Sequence, residues 1–115
     1  MGRLTTHILD TANGRPAADV AVRLYLLGDE RRLVTDTHTN ADGRTDAPLL
    51  EDIAFESGSY ELEFELGDYF RRLDSVLTDP PFLDVVVIRF QANADEHYHV
   101  PLLASPFSYS TYRGS

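Results

Sequence analysis

Residues 60–66, Tyr60-Glu61-Leu62-Glu63-Phe64-Glu65-Leu66, decide the fold class. Their period of two places Tyr60, Leu62, Phe64 and Leu66 on one face and Glu61, Glu63 and Glu65 on the other. A strand with one apolar and one wet face belongs to an antiparallel sheet packed on one side. Working outward, residues 20–27 (VAVRLYLL) repeat the pattern, with Val20, Val22, Leu24 and Leu26 inward. Residues 85–90 (VVVIRF) form a β-branched run suited to a central strand. Residues 4–9, 32–39, 97–104 and 107–112 complete the strand candidates. Turn signals separate them at Asn13-Gly14, Gly28-Asp29, Asn40-Ala41-Asp42-Gly43, Ser57-Gly58 and Asn93-Ala94-Asp95. One segment reads as a helix: Asp68 caps residues 69–75, and Tyr69 and Leu73, four apart, face the sheet. The consecutive prolines of residues 78–82 (TDPPF) predict a loop. Seven or eight short strands with one short helix predict an all-β, antiparallel sandwich. There is no internal repeat and no linker, so residues 1–115 read as a single domain.

Composition narrows the function. The net charge is -9, from 19 acidic and 10 basic residues, and every basic residue is arginine. Lysine nucleophiles and Schiff-base chemistry are excluded. The paired arginines Arg31-Arg32 and Arg71-Arg72 are too few for a phosphate-binding surface, so no nucleic-acid partner is expected. Cysteine is absent, which removes disulfides, thiolate nucleophiles and cysteine metal sites. No apolar run approaches the ~20 residues that span a bilayer, so no membrane partner is expected. The N-terminus lacks the apolar segment of a secretory signal, and the chain reads as cytoplasmic.

Four histidines are candidates for chemistry: His7, His38, His97 and His99. In His97-Tyr98-His99, strand alternation puts both imidazoles on one face. They could hold a metal with a third ligand from elsewhere, serve acid–base chemistry near neutrality, or sit on a solvated face. His7, on the first strand, reads as a partly buried edge residue. His38, between two threonines, reads as structural or exposed. Arg44 follows Asp42-Gly43 in a tight turn, where it is either solvated or aimed into a cleft to grip an oxygen-rich ligand. The C-terminal run Tyr109–Ser115 is either a frayed tail or tied into the sheet. There is no nucleophile elbow, P-loop or dinucleotide fingerprint.

Three segments resemble a known family: Leu4-Thr5-Thr6-His7-Ile8-Leu9-Asp10 continuing to Gly14-Arg15-Pro16-Ala17; Thr39-Asn40-Ala41-Asp42-Gly43-Arg44; and His97-Tyr98-His99-Val100-Pro101-Leu102-Leu103 running to Tyr112-Arg113-Gly114-Ser115. The chain resembles, over essentially its whole length, the transthyretin-like 5-hydroxyisourate hydrolases of urate catabolism. The terminal Tyr-Arg-Gly-Ser separates these from the hormone-carrying transthyretins. The resemblance implies a transthyretin-like sandwich and a metal-independent hydrolase without cofactors. Its reaction would open the ring of 5-hydroxyisourate by water attack, giving 2-oxo-4-hydroxy-4-carboxy-5-ureidoimidazoline.

The resemblance further implies a site of His7, Arg44, His99, Tyr112 and Ser115. His7 and His99 would share water activation, and Arg44 would orient substrate and balance charge. Tyr112 and Ser115 would close the pocket and bond the ring, with His97 at most in support. It also implies a homotetramer, a dimer of dimers with sites at the dimer–dimer interface. The main rival is a carrier of small aromatic ligands on the same scaffold. Lesser alternatives are an adhesion or display module and a metallohydrolase built on His97 and His99.

Overall fold

The computed structural model describes residues 1–73 and 78–114. Its strands are β1 (Arg3–Asp10), β2 (Arg15–Pro16), β3 (Ala21–Leu27), β4 (Arg31–His38), β5 (Leu50–Glu51), β6 (Gly58–Glu65), β7 (Val85–Ala92), β8 (His97–Ala104) and β9 (Tyr109–Thr111). A helix, α1 (Leu66–Arg72), follows β6, and a short 3-10 turn spans Asp52–Ala54. One sheet runs β2-β1-β8-β9, with β5 also on β1; the other runs β4-β3-β6-β7. The expected β-sandwich is present. The two two-residue strands, β2 and β5, bring the count among the described residues to nine rather than seven or eight. One pairing departs from the antiparallel expectation: β1 and β8 are parallel, with Thr5 opposite His99 and His7 opposite Pro101. Strands 90 and more residues apart carry no local signal of their relative direction.

Each sheet lends one face to a single core. Leu4, Ile8, Val100 and Leu102 meet Val22, Leu24, Tyr60, Leu62, Phe64, Val86 and Ile88. The alternation of residues 60–65 is the cause: every even position is buried and every odd one half-buried. The outward glutamates face arginines across the sheet. Arg31 bridges Glu61 and Glu63, Arg23 bonds Glu63, and Arg89 joins Glu61. Partly exposed pairs on a solvent-facing sheet surface contribute roughly 0–1 kcal/mol each. They fill the wet face and mark no site.

The helix starts earlier than expected. Leu66 is the first helical residue rather than the last inward residue of the strand, and it stays buried. Glu65 occupies the N-cap position without a side-chain cap. Asp68 lies in the first turn and pairs with Arg72 four residues on, at 3.2 Å. The chain can turn here because Gly67 packs directly against Asp84 and donates its N–H to the Asp84 carbonyl at 2.9 Å. Tyr69 is buried as expected and Leu73 packs at the core margin. Residues 74 and 75 of the expected helix lie outside the described residues.

Asp10, which no sequence pattern singled out, anchors the helix. Its carboxylate is 1% exposed. It accepts bonds from the Ala12 and Asn13 N–H groups, from Asn13 Nδ2 and from the Tyr69 hydroxyl, at 2.7–3.0 Å. Burial opposes its ionisation, but these donors outweigh burial and hold its pKa below the ordinary value. Burial and the same carboxylate push the Tyr69 hydroxyl up to about 12. Asp10→Asn puts an amide donor against groups that already donate, and is expected to cost about 1–3 kcal/mol in chemical denaturation. The sign with pH follows. A depressed carboxylate pKa stabilises above the unfolded value of about 3.9, and that contribution fades as pH falls through the folded value. The Asn variant is expected to lose this acid-side slope.

Candidate active site

The residues Leu4, Thr6 and Ile8 of β1 face the core, so Arg3, Thr5 and His7 face outward. On β8 the core-facing residues are Tyr98, Val100 and Leu102, so His97 and His99 face outward beside them. Parallel pairing of β1 with β8 then gathers all five on the outer surface of the five-stranded sheet. The His7 and His99 rings lie 6.3 Å apart, centre to centre, tilted by 40°.

Arg44 arrives from the turn after β4. Asn40 accepts from Gly43 N–H at 2.9 Å, and Asn40 N–H donates to the Arg44 carbonyl at 2.7 Å. The turn is stitched to β1 where Ile8 N–H donates to the Gly43 carbonyl at 2.8 Å, and Arg44 pairs with His7 as an isolated antiparallel bridge. Among the described residues no carboxylate pairs with Arg44. Its guanidinium is exposed and available to an oxygen-rich ligand.

Both imidazoles are disposed to be neutral. Burial first, and Arg44 second, hold His7 below its ordinary pKa, against an opposing bond to Asp42. That bond runs from His7 Nε2–H to the Asp42 carbonyl at 2.9 Å. A carbonyl only accepts, so neutral His7 carries its lone pair on Nδ1. Burial, then Arg44, then His7 hold His99 below its ordinary value. His99 Nδ1 lies 2.9 Å from the Thr5 hydroxyl.

As far as Gly114 the tail is tied to the sheet rather than frayed. Gly114 N–H donates to the His99 carbonyl at 2.7 Å. A Cβ at position 114 would stand 3.0 Å from the His99 Cβ and Cδ2, so any larger residue there presses on the imidazole. Arg113 stacks 4.1 Å above the Tyr98 ring and donates to Glu96 and to the His97 carbonyl.

A cavity of about 550 Å³ opens on this surface, lined by Arg3, Thr5, Arg44, His97 and His99 among others. Two imidazoles beside a guanidinium that no carboxylate pairs among the described residues can accept a proton and stabilise an oxyanion. Among the described residues no group of three or more histidine, aspartate or glutamate side chains converges here.

The HIUase/Transthyretin family matches residues 4–114. The chain belongs to that family. It is 60% identical over 116 residues to 5-hydroxyisourate hydrolase 2 of Rhizobium meliloti (strain 1021), covering 99% of this chain and 97% of that one. Its structure is similar to that of Klebsiella pneumoniae 5-hydroxyisourate hydrolase, with a TM-score of 0.83, 35% identity and full coverage of both chains. It is equally similar to sea bream transthyretin in complex with thyroxine, with a TM-score of 0.86 and 31% identity over 97% of this chain and 94% of that one. Backbone likeness within the HIUase/Transthyretin family thus does not separate an enzyme from a thyroxine-bound protein; the site must.

Of the residues that the family resemblance implies, His7, Arg44 and His99 come together within one chain. His97 lines the same cavity, although His7 itself does not. Tyr112 is 61% exposed and borders a separate apolar cavity of about 240 Å³ between Phe90, Tyr98 and Val100. Ser115 lies outside the described residues. His38 is exposed on β4, on the other sheet. Sequence reading missed Thr5 and Arg3, though both share the parity of His7 on β1, the one signal that could have found them.

Proposed function

We propose that this chain is a 5-hydroxyisourate hydrolase of urate catabolism, a single domain over residues 1–115. It opens the substrate's ring by water attack to give 2-oxo-4-hydroxy-4-carboxy-5-ureidoimidazoline. One observation carries the reading. Two imidazoles, both held below their ordinary pKa, meet a guanidinium that pairs with no carboxylate among the described residues, on the outer sheet face of a chain 60% identical, over 99% of its length, with a hydrolase of that name.

The chemistry follows from those groups. A neutral imidazole takes a proton as the water oxygen bonds to the ring carbonyl carbon. The carbonyl π electrons move onto oxygen, and Arg44 stabilises that oxyanion. Collapse breaks the ring C–N bond, the departing nitrogen takes up the proton, and the new carboxyl ionises. His7 and His99 share the proton transfers, and Arg44 also orients the substrate. Tyr112 and Ser115 close the pocket, and no metal or cofactor takes part.

The open side of the cavity supports assembly as a dimer of dimers with sites at the dimer–dimer interface. A partner subunit there would cover the cleft and bring Tyr112 or Ser115 of a neighbour to it. Exposed Val85 and Val87 on the edge strand β7 fit burial in such an assembly. No helix among the described residues is long and apolar enough to cross a membrane, and we place the enzyme in the cytoplasm.

The test is a coupled assay. Urate oxidase generates the substrate, and the decay of its absorbance is followed with and without this protein. Acceleration over the spontaneous rate is expected. Arg44→Ala is expected to lower kcat/KM by about 10²–10³-fold, with the assembly unchanged on size exclusion. No acceleration by the wild-type protein overturns the hydrolase.

A further inference from the structure

Thr5 stands two residues before His7, on the same outer face, and opposite His99 in the β1–β8 register. Its Oγ1 lies 2.9 Å from His99 Nδ1 and 3.5 Å from the Tyr98 carbonyl oxygen. Whichever way the proton points, Thr5 occupies Nδ1, so only Nε2 of His99 can address a ligand in the cavity. A hydroxyl has one proton to give and can also accept. The Tyr98 carbonyl can only accept. If Thr5 gives its proton to Tyr98, its oxygen must accept from Nδ1–H, and the lone pair falls on Nε2.

We propose that Thr5 is a positioning residue that holds His99 in the Nδ1–H tautomer, leaving Nε2 as the bare base that takes the proton from water. The proposal rests on the hydrolase reading and deepens it. His7 is held the opposite way, its Nε2–H tied to the Asp42 carbonyl and its lone pair on Nδ1. The two imidazoles of the site are therefore locked in different tautomers by different partners. Arg3, Asp46 and His97 line the cavity beside His99, and Arg44 and His7 both disfavour an imidazolium there. Thr5 works against Arg44 and His7. When Nε2 gains the water's proton, Nδ1–H already points at an acceptor, so the cation forms without rearrangement. With the opposite hydroxyl orientation, Thr5 would have to rotate during the step.

Thr5→Val keeps the branched side chain and the strand preference while removing the acceptor. Thr5→Ser retains it. In the coupled assay, Thr5→Val is expected to lower kcat by roughly tenfold or more, with KM changed by less than about twofold. Thr5→Ser is expected to recover most of the loss. The tautomer is read directly from imidazole 15N shifts of histidine-labelled free protein, with the His99 signal identified by its absence in His99→Ala. Wild type is expected to show protonated Nδ1 and bare Nε2, and Thr5→Val a shift toward Nε2–H. A wild-type His99 protonated on Nε2, or a Thr5→Val enzyme with undiminished kcat, overturns the proposal. The spectrum needs no turnover, so this failure is distinct from failure of the hydrolase reading, which appears as no acceleration by the wild type.

Discussion

His99→Ala is expected to lower kcat for ring opening by about 10²–10⁴-fold, the usual worth of a positioned general base. Little of that loss should come from misfolding. The ring lies on the outer face of β8, and the core-facing neighbours Tyr98 and Val100 are untouched. Removing it opens no cavity in the core, and the backbone bridge to Gly114 survives, because it uses main-chain groups alone. The pH dependence carries a second signature. Burial, Arg44 and His7 hold the His99 pKa below its ordinary 6.5. The base is active when deprotonated, so wild-type kcat/KM rises as pH climbs through that lowered value and levels off above it. A rate profile between about pH 5 and 8 is expected to lose this limb in His99→Ala, leaving only what His7 contributes. Undiminished turnover in the variant would remove His99 from the chemistry.

The contrast between His99 and Thr5 shows what a sequence discloses. Alternation alone places His97 and His99 on one face and the glutamates of residues 60–65 on another. It does so because a strand's period of two is a local property. The resemblance of the three quoted segments then brings His7, Arg44 and His99 into one proposed site. Missing from both is the parallel register of β1 and β8, which sets Thr5 against His99 across 94 positions of chain. Pairing partners are chosen by the whole fold, so no local window holds that information. Asp10 escaped for a related reason: one of 19 acidic residues, it is distinguished only by burial and by four donors, one of them 59 residues away. The helix boundary failed differently. Leu66 satisfies the strand alternation and the apolar face of α1 equally well, and the close approach of Gly67 to Asp84 decides between them.

Gly43→Ala is expected to damage stability and catalysis together, unlike Arg44→Ala, which spares the fold. Gly43 has a φ of +76°, in the left-handed region. A Cβ there costs about 1–2 kcal/mol from backbone strain alone. It would also stand 2.5 Å from the Ile8 carbonyl oxygen and 3.1 Å from Pro16 Cβ. That oxygen cannot swing aside, because it already accepts from the Ala17 N–H at 2.9 Å. The turn must instead pull away from β1, giving up the bond from Ile8 N–H to the Gly43 carbonyl. A total loss of about 2–4 kcal/mol is expected in chemical denaturation. The same movement draws the Asp42 carbonyl off His7 Nε2 and carries Arg44 out of register with the imidazoles. Misplacement of about 1 Å at a reacting centre costs on the order of 10²-fold in rate. Gly43→Asn separates the two causes. Asparagine tolerates a left-handed backbone better than alanine, yet it brings the same Cβ to the Ile8 carbonyl. If the close approach governs, Asn is expected to be nearly as damaging as Ala in both denaturation and kcat. Recovery by Asn would assign the effect to backbone strain and leave the packing of this turn against β1 without a role in placing Arg44.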